Sequence, residues 1–479
     1  MIASAAPTGG PFSSRLKVFA CLMTALGAAA TAQAQTINGP LDSSKNDDQR
    51  LTYKGITLYG TIDIGLQLET HGAPFSDYYT PASTNIIQKP GRETVTGLTG
   101  SNMSQSKVGL RGSEPLGVGD LSGLFDVQTW FNPQAGTIAD SIKSLTINNG
   151  KTAAQQGTNS DGSSAGQAFQ IAYVGLNSKT FGVLTVGRQT NLINDGVALL
   201  DPNRAAPAFS LLGASGAYAG AGTTEDKRLD SSAKYIYNYE NLAHVAGLYK
   251  FNQSNGDTAG TGNGWQFNLG GHFAGLSIDA YYSKIRNAIS ATSLTAAQLT
   301  GLAALGFASS NSVSATISDN TTFMVLGEYD LPVPVKLYAG FEHIQYSNPT
   351  HPVAAGSSGL GGYTLAYVNN TAYGEDKELN VYWGGVRWSI VPKWDVVAAF
   401  YGYHQNAYGT TAATAGCSTI AASTCSGNFR AYSLATYYRF TKRFDAYAGG
   451  MYSSVSDGLA NGYTKTTNMN PTIGLRFSF

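Results

Sequence analysis

The sequence repeats one short pattern along most of its length: segments of about ten residues in which apolar and polar side chains alternate. In residues 56–69, Leu58, Ile62 and Leu66 share one face, whereas Tyr59 and Asp63 share the other. A period of two is typical of a β-strand whose two faces meet different surroundings. We count sixteen such segments, at residues 56–69, 105–111, 121–131, 170–177, 183–189, 231–239, 242–251, 265–273, 276–285, 321–329, 335–346, 378–390, 394–404, 429–440, 444–452 and 468–479.

The connections between these segments alternate between short and long. Residues 330–334, 391–393 and 441–443 leave room only for turns, whereas 71–103, 132–165 and 287–318 are long polar loops. An even number of strands with turns at one end and loops at the other is the layout of an outer-membrane barrel. The sequence therefore predicts an all-β protein, a transmembrane antiparallel β-barrel of sixteen strands.

Composition supports a membrane barrel over a soluble protein of this length. Charged residues are 13% of the chain, against about 25% in average soluble domains. Beyond the N-terminal region no apolar run approaches the roughly 18 residues that a membrane helix needs. The chain holds 57 glycines and 28 tyrosines, as suits strands that alternate lipid-facing and lumen-facing residues. A soluble β-sandwich or secreted β-repeat protein is the alternative.

The N-terminus has the pattern of a secretory signal. Arg15 and Lys17 precede an apolar run from 18 to 30, and Ala32, Gln33 and Ala34 form a small-x-small cleavage site. We therefore predict a signal peptide at 1–34, a short periplasmic segment at 35–55 and the barrel at 56–479.

One loop is expected to lie inside the barrel. From 190 to 229 no sustained alternation appears, and structureless loops longer than about 15 residues are usually functional or disordered. This loop carries Asp195, Asp201 and Arg204 among apolar and small residues. We predict that residues of about 190–230 fold into the lumen and narrow it.

Several stretches resemble the general-diffusion porins of Gram-negative bacteria, in particular their β-proteobacterial branch. They are TLYGTIDIG from Thr57, SKVGLRGSEPLG from Ser106, AYVGLNSKTFGVLTVGRQ from Ala172, RLDSSAKY from Arg228, and the terminal GLRFSF. The resemblance implies a homotrimer of sixteen-stranded barrels in the outer membrane, with the third extracellular loop folded inward. It also implies that the barrel-assembly machinery reads the last residue, Phe479.

The same resemblance places a pore constriction on named residues. In such porins basic residues of the wall face acids on the inward loop, and the charges set up a transverse field that filters solutes. The basic positions are carried over to Lys107, Arg111 and Arg228, with Arg188 nearby, and the loop acids to Asp195 and Asp201. Gln170 stands where relatives often have arginine, which weakens the positive side.

Other chemistry finds little support in the sequence. The net charge is zero, so nothing indicates nucleic acid, and the six histidines lack zinc-ligand spacing. No catalytic constellation, metal site or cofactor motif is evident, so we expect no enzyme. Cys417 and Cys425 bracket a loop, and an oxidising compartment favours a disulfide between them.

The sequence thus predicts a porin for passive diffusion of small hydrophilic solutes and ions, with weak anion preference, surrounded by outer-membrane lipids. Two alternatives stay open: a porin selective for one class of nutrient, and a barrel that acts as an adhesin or receptor through its long loops.

Overall fold

The structure is a computed structural model that describes residues 51–72, 75, 94–138, 169–214, 228–240, 242–251, 262–292, 300–301, 312–354, 364–409, 423–460 and 465–479. The predicted signal peptide and all but the last residues of the segment at 35–55 lie outside the described residues. Those last residues include a short strand, Thr52–Tyr53, which pairs with the start of the barrel at Ile56 and Thr57.

Sixteen strands of the described residues form the barrel, and each corresponds to one predicted segment. The first eight are β1 (Ile56–Glu69), β2 (Val95–Gly100 and Lys107–Pro115), β3 (Ser122–Asn132), β4 (Ile171–Ser178), β5 (Gly182–Thr190), β6 (Arg228–Tyr239), β7 (Ala243–Lys250) and β8 (Gly264–Phe273). The others are β9 (Leu276–Thr292), β10 (Ser312–Asp330), β11 (Val335–Ser347), β12 (Lys377–Val391), β13 (Trp394–Gln405), β14 (Gly427–Arg439), β15 (Phe444–Asp457) and β16 (Thr467–Met469 and Thr472–Ser478).

Neighbouring strands pair antiparallel, and the sheet closes on itself. β1 pairs with β2 on one side and with β16 on the other, with Thr61 opposite Ser478 and Gln67 opposite Thr472. The described residues therefore form a closed barrel of sixteen antiparallel strands. Closure satisfies the backbone groups that an open sheet would expose at its edges, as hydrocarbon surroundings require.

The two faces of the wall differ as the alternation predicts. On β1, Leu58, Ile62 and Leu66 are exposed, whereas Asp63 and Gln67 are buried. The exposed apolar side chains form the outer surface, and the buried face points into the barrel.

The second strand differs from its prediction. Val95–Gly100 was expected to belong to a loop, but it pairs with the upper part of β1, and residues 101–106 interrupt the strand. Its alternation was hidden because two of its six residues are glycine. The side chain of Asp63 holds the interruption in place, since Oδ2 accepts hydrogen bonds from the backbone N–H of Met103 at 2.8 Å and of Ser104 at 2.7 Å.

Two other strands are longer than predicted. β9 extends to Thr292 and β10 begins at Ser312, so the loop expected at 287–318 is partly sheet. The additional pairs join small and polar residues, such as Ser290 opposite Thr316. Apolar alternation marks only the part of a strand that meets lipid, so these extensions give no such signal.

Helix is scarce in the part of the chain that the structure describes. α1 spans Leu192–Leu200 and α2 spans Leu211–Ala214, both between β5 and β6, and a 3₁₀ turn covers Gly458–Ala460. None of the described helices has the length and apolar character needed to cross a bilayer.

Phe479 completes the seam between the first and last strands. Its N–H donates to the carbonyl of Gly60 at 3.0 Å, and its carbonyl accepts from the N–H of Gly60 at 2.8 Å. A Cβ at position 60 would lie 2.5 Å from Cζ of Phe479, so only glycine leaves room for the ring.

We expect deletion of Phe479 to reduce assembled barrel in the outer membrane to less than about half, because two closing hydrogen bonds, about 1 kcal/mol each, and the ring contact are lost. Gel mobility of unheated membranes measures the folded fraction, with Phe479→Tyr as the matched control that keeps backbone and ring. Normal levels of the truncated chain would contradict the expectation.

Candidate pore constriction

The segment between β5 and β6 begins as a capped helix. Asn191 is the N-cap of α1, and its side chain accepts a hydrogen bond from the N–H of Asn194 at 2.7 Å. Capping by asparagine satisfies a donor that the first helical turn would otherwise leave unpaired. This helix was not predicted, because its apolar residues follow a helical rather than an alternating period.

α1 packs against the inner wall through apolar contacts. Its side chains Leu192, Ile193, Val197 and Leu200 are at most 1% exposed. They belong to one cluster with inward-facing residues of distant strands, among them Leu248, Tyr281, Met324, Val381 and Trp383. Each fully buried aliphatic side chain contributes about 1.5–3 kcal/mol, so these contacts hold the helix to the wall firmly.

The inner wall is therefore apolar where α1 lies, although the lumen of such barrels is usually polar. The helix approaches the wall closely at Gly196, where a Cβ would lie 2.5 Å from the hydroxyl of Tyr281. The segment after α1 continues across to later strands, where Phe209 packs edge-on against Tyr437 and Tyr447.

Polar contacts hold the turn at residues 201–205, directly after α1. Oδ1 of Asp201 accepts from the Tyr401 hydroxyl at 2.9 Å, and Oδ2 accepts from the N–H of Ala205 at 2.8 Å and of Asn203 at 3.1 Å. The Asn203 amide donates to the carbonyl of Phe209 and accepts from the Tyr437 hydroxyl at 2.8 Å. At the interruption of β2, the carbonyl of Asn102 accepts from the N–H of Ala208 at 2.8 Å.

Asp201 does not take the predicted position opposite the wall cations. Its side chain is 0% exposed and holds the segment to β13 instead of facing Lys107, Arg111 or Arg228. The Asp195 carboxylate pairs at 2.8 Å with Lys234 of β6, a wall residue outside the predicted constriction set.

A cavity of about 480 Å³ lies between the segment and the inner faces of β2 to β6. Six charged side chains line it, four basic and two acidic: Lys107, Arg204, Arg228 and Lys234, with Asp126 and Asp195. We call this space the lumen cavity. These fixed charges sum to a formal excess of two positive charges.

Aromatic rings position the basic side chains of the wall. The Arg228 guanidinium lies over the Trp130 ring, 3.8 Å from its centroid. Arg111 lies 5.2 Å and Lys107 6.0 Å from the centroid of Tyr59, whose hydroxyl donates to Asp126 at 2.5 Å. Such cation–π contacts stabilise a cation by about 0.5–2 kcal/mol and limit its orientations.

The remaining predicted constriction residues do not line the lumen cavity. Arg111 is 5% exposed and does not belong to the cavity lining. Arg188 forms an ion pair with Asp230 and donates to the Gln170 side-chain oxygen at 3.5 Å. Of the predicted site, the structure thus brings only Lys107, Arg228 and Asp195 into the cavity.

Four cavity residues were missed or left without a role: Lys234, Asp126, Trp130 and Arg204. The alternation of inward and outward positions along a strand could have identified three of them. Asp126, Trp130 and Lys234 occupy inward positions of predicted strands. Arg204 is held by its own segment and by β10, since its guanidinium donates to the carbonyl of Leu199 and lies 3.9 Å from Glu328.

The structure describes one of the two cysteines of the predicted disulfide. Cys425 is disulfide-bonded and buried, but Cys417 lies outside the described residues, so their pairing stays a prediction. Within the described ranges, no group of three or more histidine, cysteine, aspartate or glutamate side chains could hold a metal ion.

Burial makes the contacts of Asp201 depend on pH. Loss of hydration raises the pKa of this loop carboxyl from 3.8 to about 6, although Ala205 and Tyr401 donate to it and lower the pKa. A raised pKa means that docking through Asp201 is strongest below pH 4 and is lost as pH rises through 6. The shift corresponds to about 3 kcal/mol.

We therefore expect the amide hydrogens of Asn203 and Ala205 to exchange faster at pH 8 than at pH 5, after correction for the intrinsic chemical rate. Asp201→Asn, which stays neutral, should show equal protection at both pH values. Hydrogen–deuterium exchange with mass spectrometry measures both chains. Native protection that does not change with pH would contradict this reading.

Known structures share this architecture at low sequence identity. The anion-selective porin from Comamonas acidovorans superposes with a TM-score of 0.58 at 16% identity, covering 88% of this chain and 99% of that one. OmpT of Vibrio cholerae gives 0.52 at 13% identity, covering 90% and 99%. The channel DcaP of Acinetobacter baumannii gives 0.51 at 12% identity, covering 89% and 99%.

Sequence comparison identifies the family. No curated protein matches the chain at a significant level. The family model of the Gram-negative porins matches residues 20–458, which is most of the chain. Together with the closed sixteen-stranded barrel, this match shows that the chain belongs to the Gram-negative porin family and is an outer-membrane channel protein.

Proposed function

We propose that this porin carries small hydrophilic solutes and ions by passive diffusion and prefers anions. The observation that supports the proposal best is the lumen cavity, whose lining holds four basic and two acidic side chains. A formal excess of positive charge along a passage with low-dielectric walls raises the local concentration of anions and lowers that of cations. The porin from Comamonas acidovorans is itself described as anion-selective.

We further propose that the segment around 190–230 forms the constriction. Its described part packs on the apolar half of the inner wall, through Leu192, Ile193 and Val197, and borders the lumen cavity through Asp195 and Arg204. Solutes would then pass between this segment and the basic wall of β2 to β6.

For assembly, we propose a homotrimer in the outer-membrane lipid, inserted by the barrel-assembly machinery. One structurally similar protein, OmpT of Vibrio cholerae, is described in a trimer form. The outer wall of this chain exposes many apolar side chains, as lipid and subunit contacts require, with Leu269, Leu434 and Ile473 among them.

The test is current through the purified native protein in a planar bilayer. In a potassium chloride gradient, we expect ohmic single-channel current and a reversal potential with the sign of anion preference. A barrel that inserts but carries no current would exclude diffusion and would favour a role as an adhesin or receptor. A reversal potential with the sign of cation preference would contradict the proposed selectivity.

A further inference from the structure

A groove of about 730 Å³ runs along the outer wall, across β13 to β16 and β1. Its floor consists of the small side chains Thr436, Ala446 and Ala448. On β16 the ladder partners of the two alanines are larger, Leu475 for Ala446 and Ile473 for Ala448. Small residues between large ones therefore leave a furrow with an apolar lining on the surface that faces the membrane.

The groove begins at the periplasmic boundary of the membrane. The turn at 440–443, between β14 and β15, is short, and short turns lie on the periplasmic side of outer-membrane barrels. Next to this turn, aromatic rings in mutual contact cross the outer wall: Phe440, Phe444, Phe477 and Phe479. Girdles of this kind mark the boundary between lipid headgroups and hydrocarbon. Ala446 and Ala448 follow Phe444 at successive outward positions of β15, so the groove lies on the hydrocarbon side of the girdle.

Two exposed lysines lie on the other side of the girdle, where the headgroups begin. Lys442 belongs to the turn at 440–443, and Lys393 directly precedes Trp394, which borders the groove. The two turns are neighbours, because the Lys393 carbonyl accepts from the N–H of Arg439 at 2.8 Å. Neither lysine side chain has an ion-pair or hydrogen-bond partner among the residues that the structure describes. Both charges are therefore available to an anion outside the barrel.

The carboxylates beside these turns do not compensate the two lysines. Asp395 and Asp445 are buried on the inner face, and each is held there by an arginine at 2.7 Å. The terminal carboxylate of Phe479 lies on the β16 side, next to Arg443, whose carbonyl accepts from the N–H of Ser478 at 2.7 Å. We therefore count only the two lysines as cations available at the end of the groove.

From this arrangement we infer that the groove binds an anionic phospholipid of the periplasmic leaflet, such as phosphatidylglycerol. One acyl chain lies in the groove over Ala446 and Ala448, and the headgroup phosphate binds at Lys393 and Lys442. Basic residues at a membrane surface favour anionic over zwitterionic lipids by about fivefold each, so two of them select a headgroup. The inference requires only that the barrel lies in the outer membrane and does not depend on the proposed diffusion.

Quenching of Trp394 fluorescence by brominated acyl chains reports on occupancy of the groove. The chain has five tryptophans, of which Trp130 and Trp383 face the lumen. The double variant Trp265→Phe/Trp388→Phe therefore leaves Trp394 as the outward-facing tryptophan. This chain is placed in phosphatidylcholine vesicles that contain increasing fractions of brominated phosphatidylglycerol, or of brominated phosphatidylcholine with the same chains.

We expect half-maximal quenching at a mole fraction of brominated phosphatidylglycerol about twentyfold lower than that of brominated phosphatidylcholine. Equal mole fractions for the two lipids would show that the groove does not select an anionic headgroup, and the inference would be wrong. Absence of quenching by either lipid would mean that another copy of the chain covers the groove, which would also overturn the inference.

Lysine variants in the same background test the headgroup half of the site. Lys393→Gln and Lys442→Gln should each raise the half-quenching fraction of the anionic lipid by about fivefold and leave that of phosphatidylcholine unchanged. Lys179→Gln removes the same charge in the exposed turn between β4 and β5, away from the groove, and should change neither value. Equal effects of all three variants would assign the preference to overall charge rather than to this site.

Alanine variants test the acyl-chain half. Ala448→Phe fills the groove from its floor, so the preference for phosphatidylglycerol should fall by at least about threefold although both lysines remain. Ala339→Phe makes the same change at an exposed outward position of β11, outside the groove, and should keep the preference. Both chains must show the native heat-dependent gel mobility. An unchanged preference in folded Ala448→Phe would overturn the proposed seat of the acyl chain.

Discussion

A chain in which residues 192–227 are replaced by a short glycine–serine turn is expected to carry at least about twice the native single-channel current, because current grows with the open cross-section. The replacement is feasible because Thr190 and Arg228 are direct partners in the ladder of β5 and β6, so a short turn can join them. It removes the described residues 192–214, which carry both helices of the segment. Single-channel recording in symmetric salt measures the increase.

The same deletion exposes apolar wall residues that α1 covers, including Leu248, Met324 and Val381. We therefore expect the shortened barrel to unfold at a lower temperature, and the current must be read from preparations whose β-sheet circular dichroism equals that of the native chain. A folded barrel with unchanged conductance would show that the segment does not limit the passage. The proposed constriction would then be wrong.

Reversing the charges of the basic wall is expected to change ion selectivity stepwise. Arg228→Glu turns four basic and two acidic cavity residues into three of each, so the reversal potential in a salt gradient should fall close to zero. Adding Lys107→Glu leaves two basic and four acidic residues, and the sign should then become that of cation preference. The measurement is the reversal potential, repeated at high salt, where screening should reduce every shift.

Lys179→Glu is the matched control for this series, because it makes the same charge change in an exposed turn. It should leave the reversal potential at the native value. If the double variant still prefers anions, the charges that set selectivity lie elsewhere. A shift of equal size in Lys179→Glu would assign selectivity to the overall charge of the protein.

The sequence by itself determined the number, order and facing of the strands. Each predicted segment corresponds to a barrel strand, and on β1 the exposed Leu58, Ile62 and Leu66 match the lipid-facing set. This was possible because the contrast between lipid and lumen gives each strand a local period of two. The failures occurred where that contrast is absent, as in the glycine-rich Val95–Gly100 and the small polar residues at the end of β9.

The tertiary structure decided which charges belong to the pore. Asp195 and Asp201 are equivalent in the sequence, both acids on one long loop, yet one pairs with Lys234 beside the cavity and the other is buried against Tyr401. The difference depends on where α1 packs, and that depends on apolar residues contributed by strands from β6 to β15. Contacts of this segment join residues more than 200 positions apart, such as Asn203 and Tyr437, so no local pattern predicts them and only the closed barrel brings them together.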